Sequence, residues 1–305
     1  MSQDKDNIEA QFGLGRIGEI TKKFNLYQVS VNDLLLSHSD FTPALIEKCR
    51  MNLNIQDFDS LKESIREVIK IDKHSIHAYQ YWTFYELCIK GNLDDARDKF
   101  ERLNALLQEK EGSNDEILLF TASLMSRISG RSTRIIDICI RMLNKCLKLK
   151  PVAPEPMIEL ANCYYMINDF DKANKLFNDA AGIDLESQAP MVGLLKTMIA
   201  QNKFGEAEMQ LEFLIEMTKS LGNKDSQIAF IEGVLHGRKE TGRGNFKTME
   251  EKLKAANKAL DESLKLHIGV QKTLPNNLWF YVQLNPDYLL SLANEFLYHS
   301  DFTLS

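Results

Sequence analysis

The long stretches between turn-forming residues carry apolar side chains three and four positions apart, the spacing that lines up one face of an α-helix. Phe58, Leu61, Ile65, Val68 and Ile71 form one such face, and Leu93, Ala96 and Phe100, after Gly91, begin another. Further on, Asp115 to Ser129 reads as a helix, SGRSTR as a longer helix–helix loop, and Ile136, Cys139, Leu143 and Cys146 as the apolar stripe of the helix after it. Thr42 followed by Pro43 supplies a cap and a first helical residue. No apolar–polar alternation bounded by hairpin turns occurs, so strand content is expected to be close to zero.

The stripes recur with a fixed period. Between residues 154 and 221 an offset of 34 pairs Met157 with Met191, Leu160 with Leu194, Asn168 with Asn202, Phe170 with Phe204 and Ala173 with Ala207. Pro154 to Leu185 resembles the tetratricopeptide pattern: Met157, Leu160, Ala161 and Tyr164 on a first helix, then Ala173, Phe177 and Ala180 on a second. Small residues let the backbones of crossing helices approach, and large ones fill the gaps between neighbours. Pro151 ends the preceding helix, and Asn168 and Asp169 fall where the pair turns. The expected fold is all-α, a tetratricopeptide-type α-solenoid of stacked antiparallel helix pairs in a right-handed superhelix. Residues 1–221 read as repeats, clearest at 154–187 and 188–221. Residues 222–305 read as irregular helical repeats, a cap or a junction to further repeats: helices from Ser226 to Lys239 and Phe246 to Ile268, then two short ones, the last capped by Asn285 with Pro286 at its first position.

Charge and cysteine usage narrow the function classes. A net charge of −6 lacks the basic excess that releases counterions from a phosphate backbone, so no nucleic-acid partner is expected. Five cysteines without a C-x-x-C pair fit reduced, buried thiols acting as small core hydrophobes in the cytoplasm. MSQDKDNIEAQFG holds no signal-peptide core and nowhere do ~18 apolar residues run consecutively, so no integral membrane segment is expected.

Motifs that suggest chemistry have plainer explanations. Gly13, Gly15 and Gly18 match G-x-G-x-x-G, yet no apolar strand precedes them, and Gly15 falls on the small-residue site of a first helix. His74 and His77, three apart beside Asp72, have the spacing of two ligands on one helical face but lack a third soft donor. No G-x-S-x-G elbow or Cys–His signature is present. The expectation is therefore no catalytic residue, no metal, no cofactor and no small-molecule substrate. The basic stretch 236–247, HGRKETGRGNFK, reads as a solvated loop with capacity to dock an acidic partner. Ile158, Glu159, Asn162, Val192, Gly193 and Lys196 take the groove positions of two first helices. One Asn and one Lys there do not make the carboxylate clamp with which some tetratricopeptide co-chaperones hold a peptide tail.

A more specific likeness lies toward the end of the chain. AEMQLEFLIEM, a helix pair and then LWFYVQLNPDYLLSLANEFLYH are similar to a segment of the tetratricopeptide repeat protein 21 family, with QLNPDYLL the most distinctive wording. The resemblance covers residues 1–300 and implies an interior or C-terminal-half stretch of a longer protein. It further implies a non-catalytic scaffold: the large repeat subunit of intraflagellar transport complex A, acting in retrograde ciliary transport and cargo entry. Its partners would be other subunits of that complex, and its place the cytoplasm and the cilium, at axoneme and basal body. The alternative is a generic tetratricopeptide adaptor that takes short peptides in its concave groove outside cilia.

Overall fold

The computed structural model describes residues 7–21, 23–219, 225–238, 248–271 and 277–301. Every regular element among them is helical and no strand occurs. Two compact units are present: residues 1–112 with 275–278, and residues 113–274 with 279–305. The division falls between Gly112 and Ser113, and the change from regular to irregular repeats read at residue 221 lies outside the described residues.

The first unit holds α1 (Ile8–Ile20), α2 (Phe24–Ser37), α3 (Thr42–Asn54), α4 (Phe58–Ile71), α5 (Ile76–Phe84), a π-helical turn (Tyr85–Lys90) and α6 (Leu93–Lys110). They pack in sequence as pairs, α1 on α2, α3 on α4 and α5 on α6. Of the stripes read from the sequence, Leu61, Ile65 and Val68 of α4 and Ala96 and Phe100 of α6 are buried, with Leu103 and Leu107 continuing the second, while Ile71 and Leu93 at the helix ends are exposed. Each of the larger buried side chains contributes about 1.5–3 kcal/mol, the main force holding a pair together.

The second unit begins with α7 (Asp115–Ile128), α8 (Thr133–Leu149), α9 (Pro154–Met166), α10 (Phe170–Ile183), α11 (Ala189–Ala200) and α12 (Phe204–Lys219). It continues with α13 (Ser226–Arg238), α14 (Met249–Gln271), α15 (Leu278–Leu284) and α16 (Pro286–Asp301). One core cluster joins Ala161 of α9, Ala173 and Phe177 of α10 and Leu194 of α11, with Tyr164 and Met191 against it. A second joins Val192, Leu195, Ala207 and Leu211 to Ile231, Val234 and Leu260, and takes Tyr288 and Leu292 from α16.

The turns inside the pairs share one backbone device. Gln56, Gly91, Arg131, Asn168 and Asn202 have φ of 59°, 66°, 61°, 62° and 60°. Each stands two residues before the second helix of its pair, at 58, 93, 133, 170 and 204. A left-handed residue, preceded between α7 and α8 by a second one, Gly130 at φ 57°, reverses the chain within three or four positions, and the residue after it stands at the start of the new helix. Asp57, Asn92 and Asp169 cap their helices by accepting the backbone N–H of Ser60 (3.0 Å), Asp95 (3.2 Å) and Lys172 (3.3 Å). The Ser60 N–H holds the Asp57 carboxyl below the usual carboxylate range.

Four sequence expectations are corrected. The loop read at SGRSTR is only residues 129–132, because α8 takes in Thr133 and Arg134; the register shift of α7 is absorbed by an added turn at the start of α8. Phe41, not Thr42, caps α3, and Thr42 and Pro43 are already helical. Cys49, Cys139, Cys146 and Cys163 are buried, but Cys88 is exposed, since the wide π-helical turn carries it off the stripe that buries Tyr85. His74 precedes α5 while His77 lies within it, so the two do not share a helical face.

Gly13, Gly15 and Gly18 all lie within α1, with no strand–turn–helix around them. The tight position is Gly18, where a Cβ would stand 2.7 Å from the Tyr27 backbone nitrogen; at Gly15 it would meet only ordinary contacts, 3.6 Å from Val31. Packing of α1 on α2 accounts for the glycine that the motif ends on. Of the basic stretch, His236, Gly237 and Arg238 finish α13, and 239–247 lie outside the described residues.

Candidate interaction groove

Successive first helices α7, α9, α11 and α13 of the second unit turn side chains toward a common hollow of about 490 Å³. Ile158, Glu159, Asn162, Val192, Gly193 and Lys196 all line it, so the six positions read from the repeat register come together. The repeat-packing residues stand behind that surface. Leu160, Ala161, Ala173, Phe177, Ala180, Leu194 and Ala207 are buried, and Met157, Tyr164, Phe170, Met191 and Phe204 are half-buried around them. Close packing between repeats sets the groove wall: a Cβ on Gly193 of α11 would run into the ring of Phe177 on α10. Thr197, one turn after Gly193, hydrogen-bonds Asn174 of α10 and the Leu194 carbonyl at 2.8 Å.

The opposite wall is α16, which the repeat register did not place there. Arg131, the left-handed turn residue between α7 and α8, grips Asp287 with two bonds of 2.7 and 3.1 Å and donates to Ser291 Oγ at 3.2 Å. A bidentate guanidinium–carboxylate pair fixes orientation as well as distance. Arg127 of α7 donates to the Val282 carbonyl at 2.7 Å and pairs with Glu159. Tyr288 stacks edge-on against Phe230, its hydroxyl donating to the Ser226 carbonyl at 3.0 Å. Arg238 of α13 pairs with Glu295 at 2.8 Å and lies 3.8 Å from the centroid of Tyr298, and Trp279 of α15 stacks on Phe120 of α7 at 5.8 Å.

Lys196 is the cation that α11 contributes to the groove. Its ammonium donates to Gln227 Oε1 at 2.5 Å and lies 5.8 Å from the Tyr288 ring centroid. Burial pushes it down to about 8, against the opposing pull of Asp287 and Asp225. His299 is fully buried in α16, with Nδ1 2.8 Å from Asn257 Oδ1, and burial, helped by Arg238 and Lys252, holds its pKa below the usual histidine value. With Asn257 as acceptor the ring proton sits on Nδ1. Nε2 then faces Gly237 without a partner, a setting that favours the neutral ring.

The charged groups are engaged in fixing helices to one another, and among the described residues no group of three metal donors occurs. No described helix is long and apolar enough to cross a membrane.

Short antiparallel helix pairs, turned on a left-handed residue and stacked through small side chains, define a tetratricopeptide-type α-solenoid. A tetratricopeptide repeat protein from Parabacteroides merdae superposes with a TM-score of 0.62 at 10% identity, over 85% of this chain and 93% of that one. Within this class the chain belongs to the tetratricopeptide repeat protein 21 family, whose second ARM domain matches residues 99–303. Human tetratricopeptide repeat protein 21B is 26% identical over 97% of the chain, and human 21A is 26% identical over 88%. The chain spans 22% and 20% of the length of those two relatives.

Proposed function

We propose that this chain is a non-catalytic scaffold segment of a structural subunit of intraflagellar transport complex A, working in retrograde ciliary transport and ciliary cargo entry, in the cytoplasm and at axoneme and basal body. The observation that carries the reading is the family match over residues 99–303, to which the 26% identity with human 21B over 97% of the chain adds. The fold supports the scaffold part. Stacked pairs expose long faces for other protein subunits, and the polar groups of the groove hold helices rather than aim at a substrate.

The peptide-in-groove adaptor finds less support, because α16 already lies against the first helices through Arg131–Asp287 and Tyr288. Affinity purification from ciliated cells with quantitative mass spectrometry tests the proposal. The expected result is a fixed set of transport-complex subunits in constant ratio. Recovery of interchangeable partners without that set would overturn it.

A further inference from the structure

In a chain of net charge −6, one hollow of about 510 Å³ in the first unit is lined without a single carboxylate. Arg66 and Lys70 of α4, Lys73 and His74 just after it, and Arg102 of α6 supply its basic side chains. Ile69 of α4 and Tyr79 and Trp82 of α5 complete the lining. The two rings stack at 6.3 Å between centroids, and the Lys99 ammonium lies 4.7 Å from the centroid of Trp82. Trp82 Nε1 donates to Glu86 at 3.0 Å, which fixes the indole with its edge turned to that acid. Lys110 reaches the same corner, donating to the His74 carbonyl at 3.1 Å. Arg66 has an acid partner, Glu63, one turn away at 2.8 Å. Among the described residues no ion pair engages Lys70, Lys73 or Arg102, and all three are exposed.

We propose that this basic hollow, lined by two aromatic rings, binds an extended acidic segment of a partner protein. The spacing selects that occupant over a compact anion. Arg66 and Lys70 stand about 6 Å apart along α4, at 1.5 Å per residue, and Lys73 follows in the turn beyond its end. An extended chain repeats a side chain on the same face about every 6.6 Å, so carboxylates at alternate positions meet these cations in turn. The intervening backbone and small side chains lie over Tyr79 and Trp82. A single headgroup or free phosphate needs cations converging on one point, and here they are spread over α4, the turn after it and α6. Open cations on a surface steer and orient a partner while leaving affinity sensitive to salt. The inference rests on the scaffold reading only in taking a protein as the occupant.

The test uses the whole 305-residue chain and a fluorescein-labelled peptide of alternating glutamate and alanine, read by anisotropy. Binding is expected to weaken at least about tenfold in K70E/K73E/R102E and to vanish at high salt. It is expected to be unchanged in K254E/K258E, whose lysines are exposed on α14. In a Trp279→Phe background Trp82 is the remaining tryptophan, and its fluorescence should shift with the same midpoint. Thermal unfolding checks that the triple variant is folded; should it not be, K73E alone, at an exposed position between helices, replaces it. Equal binding by the charge-reversed chain, or no saturable binding at low salt, overturns the proposal. So does flotation with phosphatidylcholine vesicles containing phosphatidylinositol bisphosphate by a chain that ignores the peptide. None of these results bears on the subunits recovered by affinity purification, so the two readings fail separately.

Discussion

Residue by residue, the structure is set by a few positions where only one kind of side chain is comfortable. Gln56 carries φ 59° at a site where the equivalent residues include Gly91 and two asparagines. An L side chain there costs about 1–2 kcal/mol, and glycine gives back about 0.5–1 kcal/mol through unfolded-chain entropy. Gln56→Gly should therefore raise stability by about 0.5–1 kcal/mol, measured by chemical denaturation. Gly193→Ala should do the reverse, costing about 1–3 kcal/mol, because the new methyl overlaps the buried Phe177 ring. An unchanged midpoint would mean that α11 shifts freely against α10. Asn168, Asn202 and Gly91 were legible as turn residues because their chemistry suits positive φ. Gln56 and Arg131 were not, since nothing in a glutamine or an arginine announces it; only their place in the repeat register does.

Helices are where sequence reading and structure part company most. The first helices α9 and α11 and their groove positions follow directly from the 34-residue offset, because contacts between adjacent repeats are local. The position of α16 does not follow, since Arg131 and Asp287 are 156 residues apart and no periodicity links them. The basic hollow was likewise hidden: Arg66 and Lys70 lie one turn apart on α4 with Lys73 just past its end, but Arg102 and the two rings come from other helices. The docking of α16 should respond to acid. His299 has a folded-state pKa below the ordinary histidine value, so the unfolded chain takes up protons first as pH falls. Its contribution to stability is present above the ordinary histidine pKa and is lost as pH drops through it. Amide exchange in α16 is expected to speed up between about pH 7 and 5 relative to α9 and α10, and His299→Gln should flatten that dependence.

Across the molecule, a solenoid distributes its stability by neighbourhood rather than through one central core. Ala173→Leu should strain the α9–α10 crossing by about 1–3 kcal/mol, accelerating hydrogen exchange from α9 to α12 and leaving α3 and α4 as they were. A uniform loss across both units would contradict that division. The π-helical turn at Tyr85–Lys90 has a different consequence, one of counting. It holds one residue more than an α-turn would need, a spare tooth in the gear. Deleting Cys88, whose side chain is already in water, would let the turn close to ordinary pitch with α6 still in mesh. Dropping one residue from the middle of α8 instead would spin every later side chain of that helix by about 100° and pull Met142, Leu143 and Cys146 out of place. The shortened chain without Cys88 should melt within a few degrees of its parent, and the one trimmed in α8 should not fold.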